Sequence, residues 1–140
     1  MKLNDITQYI QEICQNISKV LDVDVTVVSK DLYRIAGTGI FKDKIGDKIS
    51  EEAVYSNVLK TGNSYIINKE IENRCKTCSS REHCKELADI CTPIKLGSEN
   101  LGILGIAAFT EEQKQKILSK DKELREFISS MSDLISFKLD

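Results

Sequence analysis

Apolar residues recur at Leu3, Ile6, Ile10, Ile13, Ile17 and Val20, in steps that alternate between three and four. That rhythm predicts a helix with a heptad seam along one side, about 18 residues and roughly 27 Å long. So narrow a stripe has two readings: a helix packed on its own domain, or half of a helix–helix contact with a second copy. The period then drops to two. "VDVTVVS" (residues 23–29) is rich in β-branched residues and predicts a strand. "KDLYRIAGTG" reads as a turn, a second strand through Ile35 and a bend at Gly37 and Gly39.

Ser50 is placed to cap a helix with Glu51 and Glu52 in its first turn, where the helix dipole favours acids. Val54, Val58 and Leu59 give that helix its apolar face, and Gly62 ends it. "NSYIIN" is a short strand. "ADICTPIKLGSENLGILGIAAFT" predicts a hairpin turning at Gly97 to Asn100. Its second strand is apolar on both faces, so it belongs in the middle of a sheet covered on both sides. Gly102 and Gly105 there admit close approach to the backbone. Thr110 and Gln113 form a Thr-x-x-Gln capping box. It opens one long helix with Ile117, Leu124, Phe127, Ile128, Met131, Leu134 and Ile135 on one side. Strands and helices are too segregated for a doubly wound fold. The expectation is α+β, an antiparallel sheet with the long N- and C-terminal helices packed on one face.

The 140 residues make one domain, and 41% apolar with 30% charged residues is ordinary for a globular chain. Net charge is −2 with Lys and Glu interspersed, so there is no basic stripe to neutralise phosphates and no direct nucleic-acid binding is expected. "MKLNDITQ" lacks a signal-peptide core, and the longest apolar run, Leu101 to Phe109, is too short to span a bilayer. The expected location is cytoplasmic, where thiols stay reduced.

Four of the five cysteines crowd into "CKTCSSREHCKELADIC" with the spacing C-x2-C-x5-C-x6-C: Cys75, Cys78, Cys84 and Cys91. A C-x2-C turn brings two thiolates to one ion, and thiolates are preferred ligands of zinc and iron–sulfur clusters. Arg74, Lys76, Arg81 and Lys85 help hold thiolates deprotonated. Structural zinc sites usually pair two arms a dozen or more residues apart. The compact single loop therefore favours an iron–sulfur cluster, with zinc as the alternative. A dithiol switch and inert core thiols are the rival readings, the latter suiting Cys14 and Cys91. Cys91 lies inside a predicted strand, so the fourth ligand is Cys91, His83, Cys14 or an exogenous group.

"AGTGIFKDKIGDKIS", "VLKTGNSYIIN" and "CKTCSSREHCKELADICTPIKLGSENLGILGIAAFTEEQKQKIL" resemble, in that order, the N-terminal sensor domain of bacterial sigma-54-dependent transcriptional activators. They look most like the clostridial type, whose GAF-like sensor carries a cysteine cluster before a "PI…G…G" hairpin. The resemblance covers nearly the whole chain and is most specific from Cys75 to Phe109. It implies a GAF/PAS-like fold, and a full-length protein that continues into an ATPase domain working with sigma-54 RNA polymerase and a helix-turn-helix. This chain has no G-x-x-x-x-G-K-[ST] phosphate loop, so residues 1–140 are expected to be a single sensor domain with its cysteine loop at 72–91.

The expected function is regulatory. A metal centre or small ligand at the cysteine loop and sheet face shifts the terminal helices, which also pair the chain into a homodimer. The signal is redox poise, a gas or a small organic ligand. Two alternatives stand beside it: a zinc-stapled interaction module, and a cysteine-based reductase of the free methionine sulfoxide type. The reductase is disfavoured because the chain has no Trp to line a pocket and one His for proton transfer.

Overall fold

The structure, a computed structural model, describes residues 2–49, 54–69 and 85–139. A 3-10 turn (Leu3–Ile6) runs into α1 (Thr7–Leu21), followed by β1 (Asp24–Ser29), β2 (Arg34–Gly37) and a second 3-10 segment (Gly39–Lys44). After these come α2 (Val54–Thr61), β3 (Tyr65–Asn68), β4 (Ala88–Leu96), β5 (Glu99–Ala108), α3 (Glu111–Ser119) and α4 (Asp121–Leu139). Among the described residues the strands form one antiparallel sheet in the order β2-β1-β5-β4-β3. β5 lies in its centre, as its two apolar faces require. Leu96 pairs with Glu99, so Gly97 and Ser98 form a two-residue hairpin loop, with Gly97 left-handed at φ 65°.

α1 and α4 lie on one face of the sheet, and Lys138 Nζ sits 5.2 Å from the Tyr9 ring centroid where the two helices meet. The main core fills that layer. Ile10 and Ile17 of α1 are fully buried there against Ile90 and Ile94 of β4, Ile106 of β5, and Ile128 and Ile135 of α4. Each such side chain contributes about 1.5–3 kcal/mol by leaving water. Two serines fasten α4 to the sheet: Ser132 Oγ donates to the Pro93 carbonyl at 2.9 Å, and Ser136 Oγ to the Lys95 carbonyl at 2.6 Å.

The seam on α1 is spent on the chain's own sheet. Leu3, Ile10, Ile13 and Ile17 are buried, while Val20 at its end is 73% exposed. The single long C-terminal helix is instead two. Lys120 (φ −121°, ψ 28°) breaks it between α3 and α4. Residues 119–122 are Ser-Lys-Asp-Lys and offer no apolar anchor; turning there lets Ile117 and Leu124 both reach the core. The capping box is present: Thr110 Oγ1 accepts from the Gln113 N–H at 3.1 Å, and Gln113 Oε1 accepts from the Thr110 N–H at 3.3 Å. Gln113 Nε2 also donates to the Asp22 carbonyl, tying α3 to the end of α1. The expected cap at Ser50, with Glu51 and Glu52, lies outside the described residues. Gly62 closes α2 as expected, left-handed at φ 71° with its N–H on the Val58 carbonyl.

Candidate functional site

The other face of the sheet carries a second, smaller apolar cluster under α2: Val54, Tyr55 and Val58 of the helix against Val28, Ile67, Cys91 and Ile103. Strand alternation puts Ala88, Ile90 and Ile94 of β4 in the main core and turns Asp89 and Cys91 towards α2. Register then lays out a row across this face: Gly37 opposite Thr26, Thr26 opposite Gly105, Gly105 opposite Cys91, Cys91 opposite Tyr65. Its middle is made of small side chains. A methyl group on Gly105 would fall on the Tyr55 hydroxyl and come within 2.9 Å of its Cζ. The phenol therefore lies directly on bare backbone.

Charged groups stand at the two ends of that floor. Asp89, 3% exposed, accepts the Tyr55 hydroxyl within reach of both carboxylate oxygens, at 3.1 and 3.0 Å. Arg34, 7% exposed, spreads its guanidinium over the Phe41 ring at 4.5 Å and donates from Nη1 to Thr26 Oγ1 at 3.3 Å. Among the described residues its Nε is buried without a hydrogen-bond partner. Burial drives the Tyr55 hydroxyl well above its ordinary range, the Asp89 charge adds to that, and Arg34 opposes it. The phenol is thus a neutral donor at any physiological pH. Asn100 Nδ2 holds the far end of α2 by donating to the Leu59 carbonyl at 2.8 Å.

Of the four expected metal ligands, Cys75, Cys78 and Cys84 lie outside the described residues, as does His83. Cys91 is described. It is fully buried in β4 with its Sγ 3.7 Å from the Tyr65 carbonyl, and burial followed by the neighbouring Asp89 and Glu86 charges pushes its thiol well up. Cys14 is also fully buried, on α1, and burial raises its thiol from 9.0 to about 12. Both are protonated core thiols, the opposite of an activated nucleophile. Among the described residues no group of three or more His, Cys, Asp or Glu side chains is placed to hold a metal ion.

Cys91 was singled out from sequence, and so was the close approach at Gly105. Tyr55, Asp89 and Arg34 were not. Asp89 carried a legible signal: it is a lone carboxylate inside the apolar run of a strand buried on both faces, and such a carboxylate needs a partner.

No family model matches the chain. Over 139 residues it is 28% identical to UacR of Escherichia coli (strain K12), a protein named as a uric acid sigma-54-dependent transcriptional regulator. The match takes in 98% of this chain and 24% of the regulator, so the chain spans about a quarter of that relative's length. Solved structures agree in shape at lower identity. The GAF domain of A. aeolicus NLH2 in an inactive state superposes with a TM-score of 0.70 at 18% identity, covering 96% of this chain and 85% of that one. The type II free methionine-R-sulfoxide reductase of Thermoplasma acidophilum gives 0.67 at 16%, covering 97% and 93%. The GAF domain of a Coxiella burnetii phosphoenolpyruvate-protein phosphotransferase gives 0.70 at 14%, covering 99% and 82%. No described helix is long and apolar enough to cross a membrane. The chain has a GAF-like α+β fold, with sequence similarity to a sigma-54-dependent regulator.

Proposed function

We propose that this chain is the signal-sensing module of a sigma-54-dependent transcriptional regulator, acting in the cytoplasm on an ATPase domain and through it on sigma-54 RNA polymerase. The observation that carries the reading is the alignment of nearly the whole chain with a fraction of one such regulator. The geometry supplies a route for the signal. β4 presents Asp89 and Cys91 to the α2 face, and its carbonyls at Pro93 and Lys95 accept from Ser132 and Ser136 of α4. A change of packing under α2 therefore bears on the C-terminal helix through one strand. Leu134 and Phe137 of α4, 42% and 69% exposed, offer apolar side chains to a second copy, and Val20 of α1 is exposed as well, which supports a homodimer through the terminal helices.

Two inputs fit. The first is a metal centre at the cysteine loop, held by the thiolates of Cys75, Cys78 and Cys84. Cys91 joins them only where the cation's own charge offsets the burial that keeps its thiol protonated. An iron–sulfur cluster would supply redox or gas reactivity there, whereas zinc would only brace the loop. The second is a small organic ligand under α2. The relative's name joins that protein to uric acid, and oxopurines are the ligand class to carry over. A reductase reading finds no support in Cys14 or Cys91, whose thiols are buried and protonated.

The test is anaerobic purification, followed by a visible spectrum, iron, sulfide and zinc analysis, and calorimetric titration with uric acid, xanthine and hypoxanthine. A brown protein with iron and sulfide, or saturable purine binding, supports sensing. A colourless, stoichiometrically zinc-loaded chain that binds no purine makes it a stapled interaction module instead.

A further inference from the structure

We infer that a cleft at one end of the sheet, where the first 3-10 turn meets the β1–β2 and β4–β5 turns, binds a small zwitterion: an α-amino acid with an aliphatic side chain. Its floor belongs to the main core, on the side of the terminal helices and away from α2, so the inference goes beyond the sensing reading. The cavity measures about 200 Å³, below the roughly 300–1,000 Å³ of pockets for drug-sized ligands, so its occupant is small. Leu3, Leu101 and Ser29 are buried at its base. Gly102 lets Leu3 settle there, since a methyl group on it would come within 2.6 Å of Leu3 Cδ1. The walls are tied in place before any ligand arrives. On one side the Lys2 N–H donates to Asp5 Oδ2 at 2.7 Å and the Asp5 N–H to the Lys2 carbonyl at 2.9 Å. On the other the Lys30 N–H donates to the Leu101 carbonyl at 3.0 Å and the Leu32 N–H to the Ser29 carbonyl at 2.9 Å. Preorganised walls lower the ordering cost of binding.

The chemistry of the rim defines the ligand. It carries both signs, Lys2 and Lys30 against Asp31 and Glu99, all exposed. Lys30 Nζ and Glu99 Oε1 stand 3.2 Å apart. An exposed pair of this kind contributes about 0–1 kcal/mol, so it parts at little cost. A zwitterion that enters between them offers its carboxylate to the lysine and its ammonium to the glutamate, and one ion pair becomes two. An anion or a cation alone satisfies one partner and strands the other. An aliphatic side chain completes the fit by lying on Leu3 and Leu101, where each Å² taken from water is worth about 25 cal/mol. Leu3 shares the main core with Leu139 at the end of α4, so occupancy of the cleft bears on the C-terminal helix.

Calorimetric titration of the 140-residue chain with L-leucine, isocaproate and isoamylamine tests the site, because the three share one tail and carry both charges, the acid alone and the amine alone. L-leucine should bind saturably, and each singly charged analogue about tenfold more weakly or worse. Lys30→Gln and Glu99→Gln should each weaken L-leucine about tenfold. Both side chains are exposed, so without ligand these variants should melt with the unaltered chain. Equal binding of all three compounds would refute recognition of a zwitterion. Unchanged L-leucine affinity in both variants would place the amino acid elsewhere, and absence of L-leucine binding would overturn the site outright. None of these outcomes bears on the metal analysis or the purine titrations, which judge the sensing reading separately.

Discussion

Gly105→Ala tests the central contact of the α2 face. The backbone at Gly105 is ordinary strand, so alanine brings no conformational penalty and even a small gain of about 0.5–1 kcal/mol in a strand interior. Its methyl group, however, would occupy the position of the Tyr55 hydroxyl and crowd Cζ at 2.9 Å. The atoms it would meet are the far end of the Tyr55 side chain, so the phenol must swing away and release Asp89. Losing a hydrogen bond to a buried carboxylate costs about 1.5–3 kcal/mol. Overpacking adds about 1–3 kcal/mol. The net expectation is a loss of about 2–4 kcal/mol, a large part of the roughly 5–15 kcal/mol typical of a domain, so the variant folds but melts early. Urea denaturation followed by far-UV circular dichroism measures it. The double variant Gly105→Ala/Tyr55→Phe isolates the cause: each single change gives up the same Tyr55–Asp89 hydrogen bond, and without the hydroxyl only Cζ crowds the methyl, so the two losses should fall short of additivity by about 1 kcal/mol or more. A Gly105→Ala chain within about 0.5 kcal/mol of the unaltered protein, or strictly additive losses, would refute the placement of Tyr55 on the sheet.

Further outcomes are expected elsewhere in the molecule. Thr110→Ala removes the side chain that caps α3 and should cost about 1 kcal/mol, read in the same urea melts. The Cys14 thiol keeps its proton in the folded chain up to about 12, whereas the unfolded chain gives it up near 9.0. Unfolding then releases a proton, so stability should fall as pH rises from 9.0 towards 12, and Cys14→Ala should flatten that slope in melts across the range. If the loop holds a metal and the terminal helices pair as proposed, Cys78→Ser should lose the metal by elemental analysis and leave the dimer intact in sedimentation. Unchanged metal content would remove the loop from the coordination proposal. On the same proposal Phe137→Glu should do the reverse, yielding a monomer with unchanged metal content, since Phe137 is 69% exposed and makes little contribution to its own core.

Much of this was written in local pattern. The alternation of β1, the doubly apolar β5, the Gly97 hairpin and the Thr110–Gln113 box are each dictated by neighbours within a few residues, where propensity and hydrogen bonding act at short range. The cysteine spacing announced candidate chemistry in the same way, and the segregation of strands from helices gave the α+β class. Three things came only with tertiary packing. Periodicity marks an apolar stripe without naming its partner, so the α1 seam could have met a second copy; the fold gives it to the sheet and leaves Val20, Leu134 and Phe137 outside. The break at Lys120 follows from where Ile117 and Leu124 must reach, which no heptad count contains. Arg34, Tyr55 and Asp89 stand on three elements far apart in the chain. Strand register sets the floor that Arg34 and Asp89 flank and the packing of α2 lays Tyr55 on it, because which residues meet at Gly105 is a property of the assembled fold and not of any segment within it.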